Sequence, residues 1–195
     1  TSELSAVCRA YNLVIVCPSH AKECGIGRYS MHAAAASAEN YKSVHVLETT
    51  YQALRFARNA VDPCIVIFQH EYSLIDFQYD LGEDDTTSSV ICNLSMIQQI
   101  NVKNRTAIFM HSMFLTDHGL NRINKQLFCS NIPIFHTNRD GCAKAQVNFT
   151  ELGIPDFAVE SVPALPKKFT VGAFGFLSPN KDVRSTLELC AKSGV

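Results

Sequence analysis

Leu13-Val14-Ile15-Val16-Cys17-Pro18-Ser19-His20-Ala21-Lys22-Glu23-Cys24-Gly25-Ile26-Gly27-Arg28-Tyr29 joins an apolar run, a polar loop and a glycine turn, and residues Arg28 to Ala38 continue with helical composition. An uninterrupted apolar run reads as a strand covered on both faces, because a half-exposed strand would alternate apolar and polar residues. Two glycines ahead of a helix let main-chain N–H groups approach an anion, which the positive end of the helix dipole also favours. The same glycines also suit a tight strand-to-helix turn with no ligand, and this feature alone leaves both readings open.

Further apolar, β-rich runs lie at Val44 to Leu47, Cys64 to Phe68, Ala107 to Met110, Ile132 to Phe135, Ala158 to Val162 and Phe169 to Phe176. Helical composition separates them, at Tyr51 to Ala60, Ser88 to Ile100, Leu120 to Phe128, Gly141 to Leu152 and Val183 to Lys192. Alternating strands and helices predict parallel βαβ units. The fold class expected is therefore α/β, a doubly wound, Rossmann-like parallel sheet in the order 2-1-3-4-5-6, with Gly25 and Gly27 at the switch point. Val162-Pro163-Ala164-Leu165-Pro166-Lys167-Lys168 reads as a linker. It divides a domain over residues 1–165 from residues 166–195, whose lone strand and helix bury too little apolar area to fold alone.

Composition narrows the function. The net charge of −1 and pI near 6.6 provide no basic stripe for nucleic acid. Apolar runs stop short of the ~18 residues a membrane span needs, and the first residues lack the basic and apolar regions of a secretory signal. Eight cysteines without a CxxC pair or zinc-ribbon spacing read as free thiols in a reducing compartment. A cytoplasmic location is expected. The sequons at Asn93, Asn104 and Asn148 then read as chance matches.

Ligands of open α/β sheets bind beyond the carboxyl ends of the strands. Three expected strands end there in histidine: Phe68-Gln69-His70-Glu71-Tyr72, Phe109-Met110-His111-Ser112 and Phe135-His136-Thr137-Asn138. Strands stand ~4.8 Å apart, so His70, His111 and His136 are expected to face one crevice. Histidine there can act as a base or hydrogen-bond a sugar or phosphate. Without HExxH or a close-spaced ligand pair, no metal site is assigned. A nicotinamide site is disfavoured by the missing G-x-G-x-x-G spacing, with Glu48 the only acidic candidate for a ribose.

In order along the chain, four segments resemble the GT-B fold retaining glycosyltransferases, in particular the family-four group that uses nucleotide sugars. Lys22 to Tyr29 is similar to that group's K-C-G-I-[AG]-x-[FY] turn, Gln69-His70-Glu71-Tyr72 to its Q-H-E-[YF] segment, and Phe109 to Ser112 to its T-x-H-[TD] strand end. Val171-Gly172-Ala173-Phe174-Gly175-Phe176-Leu177-Ser178-Pro179-Asn180-Lys181 resembles G-[RF]-x-x-P-x-K-G, the opening of the donor domain.

The resemblance implies hexosyl transfer with retention, in carbohydrate biosynthesis, from a nucleotide sugar to a hydroxyl of a sugar or lipid-linked acceptor. The nucleotide sugar is the substrate, and no separate cofactor is implied. It assigns His111 to the catalytic centre, Gly25, Ile26, Gly27 and Lys181 to the donor diphosphate, and His70, Glu71 and Tyr72 to the acceptor. Phe176 stands where many members carry a phosphate-binding arginine, and Asp182 where glycine is usual. The region corresponding to the family's E-x7-E segment lies beyond Val195, so the isolated chain is expected to need a further donor domain or a second chain for activity. Two other readings remain: a non-catalytic Rossmann-like binding module, and a metal-dependent hydrolase built on His70, His111 and His136.

Overall fold

The computed structural model describes residues 7–17, 25–70, 86–111, 124–151 and 183–192. In chain order the described elements are β1 (Asn12–Val16), α1 (Gly25–Ser37), β2 (Ser43–Leu47), α2 (Thr50–Asn59), β3 (Cys64–His70), α3 (Thr86–Asn101), β4 (Arg105–Met110), β5 (Ile134–His136), α4 (Arg139–Ala145), β6 (Asn148–Phe149) and α5 (Val183–Lys192). Residues 124–128 are also helical. The chain divides into two compact units, Thr1–Pro155 and Asp156–Val195.

The first unit is a six-stranded sheet in the order β2-β1-β3-β4-β5-β6. Every pairing is parallel. This is the α/β, Rossmann-like, doubly wound architecture. The order reverses at β1, and α1 leaves from the carboxyl end of that strand. Among the described residues no helix is long and apolar enough to cross a membrane.

Register explains the core. Val14 and Val16 of β1, Val66 and Phe68 of β3, Ile108 and Met110 of β4 and Ile134 of β5 form one buried cluster with Ala53 and Leu54 of α2 and Leu94, Ile97 and Ile100 of α3. Side chains at alternate strand positions share a face, so this face is the one covered by α2 and α3. Complete burial of such a side chain stabilises by roughly 1.5–3 kcal/mol. The α2 helix starts at a capping box: Thr49 accepts from the Gln52 N–H, and the Gln52 side chain reaches back to the cap backbone. At the other end of the pair, Asn104 accepts from the Cys64 N–H at 2.8 Å and donates to the Ile100 carbonyl at 3.2 Å. It thereby ties the end of α3 to the start of β3.

Two expectations change. The helix read as beginning near Arg28 starts at Gly25, so Gly25, Ile26 and Gly27 form its first turn. The helix expected from Gly141 to Leu152 runs from Arg139 and stops at Ala145, because Gln146 takes the left-handed conformation at φ 56°. Val147, Phe149 and Thr150 are β-branched or aromatic and suit a strand better than a helix, and Asn148–Phe149 pair with β5. The sixth strand of the sheet is therefore this short one. Ala158 to Val162, Phe169 to Phe176 and the linker at Val162 to Lys168 lie outside the described residues. Among the described cysteines, Cys8, Cys64, Cys129 and Cys142 are free thiols.

Candidate functional site

The carboxyl ends of β3, β4 and β5 bring Gln69, His70, Met110, His111 and His136 together. His70 pairs in register with Met110, and Met110 with His136. The ladder continues one residue further, where the His111 N–H donates to the His70 carbonyl at 3.0 Å. Strand alternation then sets the faces. His70, Met110 and His136 form one row on the side of α2 and α3, whereas Gln69, Phe109 and His111 stand on the opposite side.

The expectation of three histidines in one crevice is thus corrected. His111 is one residue past the row that holds the other two, and a one-residue offset along a strand reverses the face. His70 is 6% exposed, and its side chain belongs to the helix-covered side of the sheet.

The surroundings of His111 come from three elements. Its Nε2–H donates to the Gln69 side-chain carbonyl at 2.6 Å. Phe109, two residues earlier, places its ring edge-on at 4.8 Å between centroids. Tyr29, from the second turn of α1, lies edge-on to His111 at 5.8 Å and stacks on Phe109 at 5.9 Å. The helix that opens on Gly25 therefore covers the same face as His111. Gly27 and Ser30 are the buried positions of that helix, and the Ser30 hydroxyl donates to the Ile26 carbonyl at 2.8 Å. A Cβ at Gly25 would meet nothing within 4 Å.

His136 makes a different contact. Its Nδ1 lies 2.7 Å from the Met110 carbonyl, which can only accept, so Nδ1–H is the donor. In His111 the donor is the other ring nitrogen, Nε2. Burial pushes the His111 imidazole down to about 4, with a further lowering from the neighbouring His136. His70 is likewise lowered to about 4, by burial first and by His111 second. Both rings are neutral near pH 7, when they can accept a hydrogen bond but do not attract an anion as a cation would. Burial also raises the Tyr29 phenol.

Glu71, Tyr72 and Lys181 lie outside the described residues. Among the described residues, no group of three or more His, Cys, Asp or Glu side chains is arranged to hold a metal ion. Gln69 and Tyr29 are site residues to which the sequence alone assigns no role. Their signal was position alone: Gln69 precedes a strand-end histidine, and Tyr29 lies one turn into the helix that follows the glycines.

A cleft of about 520 Å3 opens elsewhere, lined by Leu54, Arg58, Val61, Gln99, Val102 and Lys103 among others. Pro63 and Asn104 at its rim precede β3 and β4, so it sits at the amino end of the sheet, away from the histidines. No protein-family model matches the chain, and no curated protein or solved structure matches it significantly.

Proposed function

We propose that the first unit is the acceptor-side domain of a GT-B retaining glycosyltransferase, acting on a nucleotide-sugar donor. One observation carries the reading: α1, which opens on Gly25-Ile26-Gly27, lays Tyr29 against His111 at the carboxyl end of the sheet. Main-chain donors of a helix start and a strand-end imidazole then share one face, at the place where open α/β sheets bind ligands.

The chemistry follows from these parts. The acceptor hydroxyl attacks the anomeric carbon, a C–O bond forms there, and the bond from that carbon to the diphosphate breaks. The acceptor proton passes to an oxygen of the leaving diphosphate on the same face. First-turn N–H groups of a helix lack partners within it and favour anions, so those at Gly25, Ile26 and Gly27 stabilise the departing charge. His111 orients and polarises the sugar, as a neutral imidazole suited to a hydroxyl. Glu71 and Tyr72 hold the acceptor.

A metal-dependent hydrolase gains less support, because the sheet register divides its three proposed ligands between two faces. The test uses the gene product that contains this chain, offered a panel of nucleotide sugars with mono- and oligosaccharide and lipid-linked acceptors. Nucleoside diphosphate release coupled to a product of unchanged anomeric configuration is expected. Binding of a sugar with no turnover would favour the non-catalytic module, and zinc-dependent hydrolysis would sink the assignment.

A further inference from the structure

Gln69 is 6% exposed, and burial of a polar side chain at the end of a central strand needs a compensating partner. Its partner is His111, at 2.6 Å from Oε1 to Nε2. The contact follows from the sheet. Gln69 is the register partner of Phe109, so its side chain lies on the same face as the residue two further along, which is His111. Phe109 at 4.8 Å and Tyr29 at 5.8 Å pack against the imidazole in T-shaped arrangements, with interplanar angles of 60° and 80°, and limit how the ring can turn.

We propose that Gln69 is a positioning residue, whose side-chain carbonyl holds His111 as the Nε2–H tautomer and leaves the lone pair on Nδ1 as the atom offered to a ligand. The proposal rests on the reading of His111 as a ligand-facing residue, and it extends that reading to the tautomer. Glutamine at this point can accept through Oε1 or donate through Nε2, and the two amide orientations demand opposite tautomers of His111. With Oε1 facing the ring, a neutral His111 has one arrangement. Its Nδ1 accepts from a donor such as a hydroxyl and has no proton to give. A ligand hydroxyl is thereby favoured over a carbonyl or a second acceptor. The same logic governs histidines whose far nitrogen is fixed by a second group.

The test is the 15N–1H correlation spectrum of the His111 ring at pH 7, recorded without ligand on the wild-type chain, Gln69→Glu and Gln69→Leu. Wild type is expected to show protonated Nε2 and bare Nδ1. Glutamate accepts only, so Gln69→Glu should keep that tautomer, and its carboxylate should raise the His111 protonation midpoint by about 1–3 pH units. In Gln69→Leu the two nitrogens should move toward the averaged shifts of exchanging tautomers. A wild-type ring protonated on Nδ1 would overturn the proposal, as would shifts unchanged by the leucine. Should the leucine variant not fold, wild type and Gln69→Glu still decide it. Because no ligand is present, failure of the glycosyltransferase reading would leave this result standing, and an active transferase with the opposite tautomer would sink this proposal alone.

Discussion

The Met110 carbonyl and the His136 Nδ1 meet at 2.7 Å between two residues that are also register partners on neighbouring strands. This side-chain bond spans the gap between β4 and β5, whose shared ladder covers only Ile108 to Met110 on one side and Ile134 to His136 on the other. His136 therefore reinforces the shortest of the central strands. His136→Ala should cost about 1–3 kcal/mol of stability, the range for leaving a buried polar group unpaired, with little change in turnover. Urea unfolding read beside the proposed glycosyl-transfer activity checks this; an equal loss of kcat would place His136 in the chemistry.

His111→Ala should act in the opposite sense. It removes a contact that the proposal strengthens in the transition state, so kcat should fall more than the KM for the nucleotide sugar rises. Steady-state kinetics of a folded variant decide it. A rise in KM alone would make His111 an ordinary binding residue.

Acid should unfold the first unit through its histidines. His70 and His111 have folded values of about 4 against about 6.5 in an unfolded chain. Between those values the unfolded state binds more protons, so stability is complete above pH ~6.5 and falls as pH drops toward 4. The cost for the deeply buried His70 is on the order of 3 kcal/mol once both states are protonated. His70→Phe should flatten Tm against pH in that window; an unchanged slope would show that His70 does not carry the acid dependence.

Gly25 is free of steric demand, since an added Cβ meets nothing within 4 Å. Gly25→Ala should keep the fold and raise stability by up to about 1 kcal/mol, through helix propensity and a less flexible unfolded chain. Thermal melting reads this. If donor binding weakens while Tm rises, the glycine is needed for close approach of the diphosphate.

Thr49→Ala should cost about 1 kcal/mol, because it removes the side-chain oxygen that caps α2. Adding Gln52→Ala should cost less than its separate effect, as the two side chains form one reciprocal box. A double-mutant cycle by chemical denaturation measures the coupling, and strict additivity would contradict it.

Much of the fold was written locally. The continuous apolar runs at Leu13 to Cys17 and Cys64 to Phe68 declared buried strands, and the intervening helical stretches required parallel crossovers. The strand order followed, as did the position of the three histidines at one end of the sheet. At residues 146–149 the sequence misled, because helical composition around Gly141 outweighed the weak strand signal of Val147 to Thr150. A left-handed Gln146 and pairing with β5 decided the matter.

The face each histidine takes could not be read in this way. Side-chain direction in a strand has a period of two, so a one-residue difference in where β3, β4 and β5 align moves a residue from one side of the sheet to the other. That alignment is set by packing between segments far apart in the chain, through contacts such as Gln69 with His111 and Tyr29 with Phe109. The sequence by itself determined that strands alternate with helices and end in histidine, since both properties belong to short stretches of chain. Only the tertiary structure separated His111 from His70 and His136 and made opposite ring nitrogens of His111 and His136 the donors, because register and hydrogen-bond partners exist only once distant strands have paired.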